Sequence, residues 1–194
     1  MADKLIATPS QTVGPFFHLG MDRPGWADLT ADGPEGERIA IEGRVIDGDG
    51  APVPDAVIEV WQANAAGRYD HPDDRQEDKP LDPKFRGFGR VATDAEGRFR
   101  IATIKPGPVP GRGNALQAPH INLAIFARGL LRHLYTRIYF ADEPANAADP
   151  LLSSLEDTAA RRTLLARRTG PDGGAAYRFD IVLQGDGETI FLDI

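Results

Sequence analysis

The chain of 194 residues is rich in glycine and proline, carries a net negative charge and contains no cysteine. Its 21 glycines and 16 prolines make up about 19% of the residues, against roughly 12% in an average protein. That excess argues against a helical bundle and favours a turn-rich, mainly β domain. A chain without cysteine cannot form disulfides, thiolate zinc sites or iron–sulfur clusters. The formal charge of −7 argues against a nucleic-acid partner.

The apolar segments and the N-terminal residues bear on where the protein works. The longest apolar runs are far too short to span a lipid bilayer. Residues 1–17 lack the basic start and apolar centre of a secretory signal. We therefore expect a cytoplasmic protein that binds neither a membrane nor nucleic acid.

The chain divides near residue 38. Residues 1–37 are punctuated by proline and glycine without a sustained hydrophobic period, and we interpret them as an extended arm before one domain at 38–194. From Arg38 onward, apolar residues alternate with charged ones, which predicts a strand. A turn at 47–50 and a second alternating segment at 56–62 predict that this strand is one half of a hairpin.

Further elements follow in chain order. Residues 64–88 are polar and too long for an ordinary connection, which is typical of a functional loop. More strands are predicted at 89–93, 98–104, 120–127, 134–140, 177–183 and 189–192, a spacing typical of an antiparallel β-sandwich. One short helix is predicted near 150–168, with Asp149 as its N-cap and Pro150 at its first position.

The segment from Pro119 to Phe126 holds the first candidate site. On a strand, His120 and Asn122 project from one face, with Ile121 and Leu123 on the other. Two such side chains could share a ligand, although asparagine is a weak neutral ligand for a transition metal. A single buried histidine bonded to a neighbour is the commoner arrangement. Tyr69, at the start of the long loop, could reach back as a phenolate ligand or simply pack there.

The N-terminal arm holds a second candidate. Residues 12–17 combine a hydroxyl, a glycine, a proline and two phenylalanines, which could line a pocket for an aromatic ligand or fasten the arm to the core. Arg128 precedes a glycine at a predicted strand end. That position suits a guanidinium that binds a carboxylate.

Several longer motifs carry a family resemblance. They read PSQTVGPF, EVWQANAAGRYDH, LDPKFRGFGR, TIKPGP, APHIN, FARG, LYTRIYF and YRFDIVLQG. In this order, and over nearly the whole chain from Thr8 to Ile194, the sequence resembles the intradiol ring-cleaving dioxygenases. The resemblance implies a two-layer β-sandwich and a mononuclear Fe(III), held in the iron-bearing chains by two tyrosines and two histidines. It also implies cleavage of 3,4-dihydroxybenzoate by O2 to 3-carboxy-cis,cis-muconate, a step of aromatic catabolism.

The implied iron ligands are incomplete in this chain. Tyr69 matches the first tyrosine ligand of the family, and His120 matches the first histidine. Val109 stands at the second tyrosine position and Asn122 at the second histidine position. Gln117 occupies the place of a family arginine three residues before the first histidine. The resemblance thus implies a degenerate iron site and no metal on this chain.

The resemblance further implies a division of roles between two homologous subunits. The beta chain carries Fe(III), while the alpha chain packs against it, closes the substrate pocket and is inactive by itself. By this resemblance the present chain is of the alpha type, in an alpha/beta oligomer. Thr12, Gly14 and Pro15 would then border the substrate ring, and Arg128 would help to receive its carboxylate.

Two other functions fit the sequence less closely. The chain could be a purely structural scaffold whose degenerate pocket has no role. It could also be a self-sufficient homomeric dioxygenase with altered ligands, recruiting Tyr135 or Tyr139, although their strand positions favour packing.

Overall fold

The computed structural model describes residues 6–111, 113, 115–170 and 175–193. Residues 1–5 of the predicted arm and Ile194 lie outside the described residues. The strands are β1 (Arg38–Ile46), β2 (Val57–Trp61), β3 (Phe88–Ala92), β4 (Arg98–Ile104), β5 (Val109–Pro110), β6 (Leu116–Gln117), β7 (His120–Phe126), β8 (Leu134–Phe140), β9 (Leu165–Arg168), β10 (Ala176–Arg178) and β11 (Ile181–Val182).

The helices are short and lie outside the sheet. They are α1 (Phe17–Met21), a 3₁₀ helix (Pro144–Ala148), α2 (Pro150–Ser154) and α3 (Thr158–Arg162). Among the described residues, none of them has the length or the apolar character needed to cross a membrane.

Apart from the separate β5–β6 pair, the described strands form one sheet that almost closes on itself. Its path runs β4, β1, β10, β9, β8, β7, β2 and β3, with β11 also paired to β1. The two ends, β3 and β4, contact each other, so the sheet wraps around a shared interior. The pairs β1–β10, β1–β11 and β8–β9 are parallel and the others antiparallel. The mainly β prediction is confirmed, but the sheet is mixed where we expected antiparallel strands throughout.

Alternation along the strands separates the core from the outer face. On β7, Ile121, Leu123 and Ile125 are buried among the apolar side chains of β1 and β4. Because successive side chains of a strand point to opposite faces, His120 and Asn122 face away from this core. The prediction that His120 and Asn122 share one face of the strand, with Ile121 and Leu123 on the other, is therefore confirmed.

The predicted hairpin between residues 38 and 62 is wrong beyond its turn. Asp47 N–H does donate to the Ala51 carbonyl across 2.9 Å, and a bridge joins Ile46 to Pro52. The chain then leaves β1, and β2 pairs with β3 and β7 in the opposite half of the sheet. Prolines at 52 and 54 lack the N–H that a continued ladder needs. Asp55, at φ 62°, turns the chain away.

The single helix predicted over 150–168 is also wrong. Asp149 and Pro150 begin α2 as expected, since the Asp149 carboxylate accepts from the N–H groups of Leu151 and Leu152. The helix ends at Ser154, because Leu155 adopts extended angles and Asp157 caps the separate helix α3. Residues 165–168 form strand β9, which lies between β8 and β10.

Two C-terminal strands also differ from the prediction. The strand expected at 177–183 is divided into β10 and β11, at a point where a Cβ on Gly43 would lie 1.7 Å from the Phe179 carbonyl oxygen. The backbone of 179 thus approaches β1 closely, and Arg44 N–H donates to the Asp180 carboxylate. In place of a strand at 189–192, the described residues show an isolated bridge between Leu192 and Tyr135.

Candidate functional site

The outer face of β7 and its neighbours carries the family-matched positions. In the cross-strand register, Asn122 lies between Arg137 of β8 and Trp61 of β2, and His120 lies opposite Tyr139. The long loop between β2 and β3 covers this face and brings Tyr69 over it. The small β5–β6 hairpin adds Val109 and Gln117, which pair with each other. The register and the loop therefore bring all five positions close together at this end of β7.

Tyr69 is held in place by its neighbours. Its ring stacks on Trp61 with centroids 5.6 Å apart, and its backbone N–H donates to Asp74 across 2.7 Å. Its hydroxyl lies 3.4 Å from Nδ2 of Asn122. Burial raises the pKa of the Tyr69 hydroxyl above its usual value, so the phenol stays protonated at neutral pH.

His120 is a neutral buried side chain. Its Nδ1 lies 2.8 Å from the carbonyl oxygen of Ala118, which can only accept, so Nδ1 carries the proton. Burial, followed by the nearby Arg137 cation, lowers the pKa of His120 to about 4. The imidazole is therefore uncharged at neutral pH.

Arg137 places a guanidinium beside Asn122 and Gln117. Its Nε donates to Oδ1 of Asn122 across 2.9 Å, and Nη1 donates to Oε1 of Gln117 across 2.6 Å. Nη1 also lies 3.3 Å from the Tyr139 hydroxyl. The guanidinium thus binds two of the side chains that replace family residues.

These residues do not fit the family's iron site. Val109 is buried and its side chain has no donor atom. The Asn122 amide is engaged at both ends, because Nδ2 donates to the Trp61 carbonyl across 3.1 Å and Oδ1 accepts from Arg137. Tyr69 and His120 are left as donors, two in place of four. In the part of the chain that the structure describes, no cluster of three or more His, Cys, Asp or Glu side chains is placed to hold a metal.

A cleft of about 650 Å³ opens beside Tyr69. Trp61, Tyr69, Val109 and Pro110 form its wall, together with loop residues 71 and 73–76. Thr12 and Arg128 are not among its lining residues within the described chain. The candidate pocket of the arm is therefore a different place from this cleft.

The arm residues gather at the opposite end of β7. Thr12 Oγ1 accepts the N–H of Gly129 across 2.7 Å, which fixes the arm beside Arg128. The Arg128 side chain is 55% exposed, and its Nε lies 3.8 Å from Oδ2 of Asp55. Gly14 and Pro15 are also exposed.

The two groups of residues are well separated. His120 begins β7 and Phe126 ends it, with Arg128 beyond. Six residues of strand span about 20 Å at roughly 3.3 Å per residue. Thr12 and Arg128 therefore cannot line the pocket around Tyr69 and His120.

Sequence reasoning missed the roles of two residues near His120 and Asn122, Arg137 and Asp149. Arg137 lies midway between Tyr135 and Tyr139 on a predicted strand, so its face was readable from the sequence. The pairing of Arg137 with Asn122 depends on the β7–β8 register, which the alternation of apolar residues does not determine. Asp149 was predicted only as a cap, yet it is fully buried and also accepts from the Tyr139 hydroxyl and the Ala118 N–H.

Comparisons with known proteins agree with the motifs. A family model described as dioxygenase matches residues 14–185. The alpha chain of protocatechuate 3,4-dioxygenase from Pseudomonas putida is 44% identical over 201 residues, covering 97% of each chain. The beta chain from Burkholderia cepacia is 48% identical over 191 residues, covering 93% of this chain and 77% of that one. Hydroxyquinol 1,2-dioxygenase from Pseudomonas putida DLL-E4 superimposes with a TM-score of 0.62 at 25% identity, over 93% of this chain and 68% of that one. The chain therefore belongs to the intradiol ring-cleavage dioxygenase family.

Proposed function

We propose that this chain is the alpha subunit of a protocatechuate 3,4-dioxygenase and acts with a homologous beta chain that binds Fe(III). The similarity to the alpha chain from Pseudomonas putida extends over 97% of both sequences. The longer beta chain from Burkholderia cepacia is also a relative, which fits a pair of homologous subunits. The complex would cleave 3,4-dihydroxybenzoate with O2 to 3-carboxy-cis,cis-muconate, and the chain alone would be inactive.

The separation along β7 is the observation that carries this proposal. Arg128 and the arm lie about 20 Å from the chain's own degenerate pocket and are open to solvent. Side chains that cannot reach the pocket of their own chain are available to complete the site of another. We therefore assign the walls of the substrate pocket to Thr12, Gly14, Pro15 and Arg128, and the iron to the partner.

The exposed apolar side chains nearby support a protein partner. Phe16 and Leu19 on the arm are 76% and 69% exposed, and Leu131 on the adjoining loop is 62% exposed. Large apolar side chains grouped on a surface are typical of a subunit interface. Burial of this surface by the beta chain would bring the arm to the substrate.

The chemical contribution of this chain is binding and positioning. The Arg128 guanidinium presents N–H donors that suit a carboxylate, and Asp55 shares part of its charge in the free chain. The arm would exclude water from the substrate ring and fix its orientation. The iron held by the partner chain would supply the Lewis-acid chemistry of the reaction with O2.

The direct test is the kinetics of Arg128→Ala in the purified alpha/beta complex. Loss of a charge-assisted hydrogen bond of about 1.5 to 3 kcal/mol corresponds to a rise in KM of roughly 10- to 100-fold. We expect that rise for 3,4-dihydroxybenzoate and little change for catechol, which lacks the carboxylate. Arg132→Ala, an exposed arginine four residues further on, is the matched control and should leave both KM values unchanged.

The rival functions predict other results. A purely structural scaffold predicts that Arg128→Ala leaves both KM values unchanged while the complex still assembles. Equal increases for both substrates would also contradict carboxylate recognition. A homomeric enzyme would need new ligands, yet the hydroxyl of Tyr139 donates to Asp149 and that of Tyr135 lies 2.7 Å from His133.

A further inference from the structure

The degenerate pocket holds a charge that the family match does not explain. Arg137 projects from β8 onto the outer face and lies directly across from Asn122 in the register. Its guanidinium contacts the oxygens of Asn122, Gln117 and Tyr139 at 2.6 to 3.3 Å. None of the three is a carboxylate oxygen, because Asn122 and Gln117 offer amide oxygens and the Tyr139 hydroxyl itself donates to Asp149.

The side chain of Asn122 is fixed by these contacts. Its amide oxygen points at the guanidinium, and its amide nitrogen points at the Trp61 carbonyl and the Tyr69 hydroxyl. Arg137 thereby orients Asn122, at the family's second histidine position, and through it contacts Tyr69, at the first tyrosine position. A guanidinium carries its positive charge on a planar group with five N–H donors.

We propose that Arg137 is the resident cation of this pocket and that its guanidinium keeps metal ions out. A donor placed at position 122 would face the N–H groups of Arg137, which satisfy its lone pairs in place of a metal. A metal ion among residues 69, 120 and 122 would also be repelled by the fixed positive charge. Metal binding is therefore opposed by two independent features, the missing donors and the guanidinium of Arg137.

This inference concerns the chain's own pocket and is independent of the proposed role of Arg128. It predicts that restoring the donors is insufficient. The double variant Val109→Tyr with Asn122→His would supply two tyrosines and two histidines but should still bind Fe(III) poorly. Adding Arg137→Gln removes the charge while keeping a polar side chain that can bond to Gln117.

The experiment uses the full chain with the double substitution in four forms, three that differ at position 137 and a fourth that carries Arg98→Gln. One keeps Arg137, one adds Arg137→Gln, and one adds Arg137→Lys, which retains the positive charge. Arg98→Gln, on the exposed start of β4, is the control for a general loss of charge. Each protein is incubated with Fe(III), and bound iron per chain and the tyrosinate-to-iron absorption are measured after its thermal unfolding transition has been recorded.

We expect at least a tenfold gain in bound iron with Arg137→Gln and no gain with Arg137→Lys or Arg98→Gln. Equal iron binding with and without Arg137→Gln would overturn the proposal. So would iron binding by none of the folded variants, because the guanidinium would then not be the remaining barrier. If Arg137→Gln prevents folding, Arg137→Met serves as a second neutral variant of similar length, and the same outcomes apply.

Discussion

Arg137 donates a hydrogen bond of 2.9 Å from Nε to Oδ1 of Asn122, across the β7–β8 pair. A side chain at a family ligand position is thus bound to a protein cation. The side chains around it are hydrogen-bonded to one another. The exposed residues of the arm and Arg128 lie at the other end of β7. The surface to which we assign a function and the positions of the degenerate iron site are therefore two different places.

The arm should lose its position when the Thr12 hydroxyl is removed. Thr12→Val keeps the shape of the side chain but deletes the acceptor of the Gly129 N–H. We expect the KM of the alpha/beta complex for 3,4-dihydroxybenzoate to rise several-fold, in line with the loss of about 1 kcal/mol from one hydrogen bond.

Thr12→Ser is the matched control, because it retains the hydroxyl. Steady-state kinetics of the two variants distinguish the two roles of the arm. A complex in which Thr12→Val behaves like Thr12→Ser and like the wild type would show that the arm serves assembly alone.

The Asp149 carboxylate should be important for stability. It is fully buried and accepts four hydrogen bonds. The donors are the N–H groups of Ala118, Leu151 and Leu152 and the hydroxyl of Tyr139. Asp149→Ala leaves these buried groups without their acceptor, and we expect a loss of about 3 kcal/mol or more in the free energy of unfolding by urea.

The comparison for this prediction is Asp157→Ala. Asp157 caps α3 in the same way but is exposed, so its loss should cost about 1 kcal/mol. Similar costs for both variants would mean that the contacts of Asp149 with Ala118 and Tyr139 contribute little.

Acid should destabilise the chain partly through His120. The pKa of the folded-state imidazole is lowered to about 4 from an ordinary value near 6.5, by burial and by Arg137, with Tyr139 and Asp149 also close. Between these values the unfolded chain binds a proton that the folded chain does not. The stabilisation is therefore complete above pH 6.5 and is lost as the pH falls towards 4, by about 2 to 3 kcal/mol at pH 4.5.

Urea unfolding at pH 7.5 and pH 4.5 checks this effect. His120→Asn cannot titrate and can still donate to the Ala118 carbonyl, so it should lose about 2 to 3 kcal/mol less than the wild type between the two pH values. An equal loss in both proteins would place the acid sensitivity in other groups.

Local patterns in the sequence predicted much of the fold. The strands at 98–104 and 134–140 were predicted with the observed bounds, and the outward placement of His120 and Asn122 follows from alternation alone. The predicted pairing of β1 with β2 was wrong, and β1 pairs with β4 and β10 instead. Alternation identifies the buried face of a strand but not the neighbouring strand. The helix over 150–168 was wrong although Leu152, Leu155, Ala159 and Ala166 recur near one helix face. In the structure Ala159 is exposed, and the buried pair Leu164 and Ala166 follows the alternation of a strand.

Some features of the candidate site could likewise be predicted from the sequence, and others could not. The missing donors at Val109 and Asn122 can be read from the sequence once the family motif is recognised. The separation of about 20 Å between Arg128 and that pocket follows from the length of β7. The position of the arm beside Arg128 depends on the hydrogen bond between Thr12 and Gly129, which no local pattern in the sequence predicts. The contact of Arg137 with Asn122 could be found only from the register of β7 and β8.

The most direct measurement is the iron content of the full chain purified alone and with its beta partner. We expect the lone chain to contain no stoichiometric iron and to lack the tyrosinate-to-iron absorption, because Val109 has no donor and Asn122 is bound to Arg137. The complex should contain one iron per alpha/beta pair and cleave 3,4-dihydroxybenzoate. Stoichiometric iron and visible colour in the lone chain would contradict the assignment of the metal to the partner.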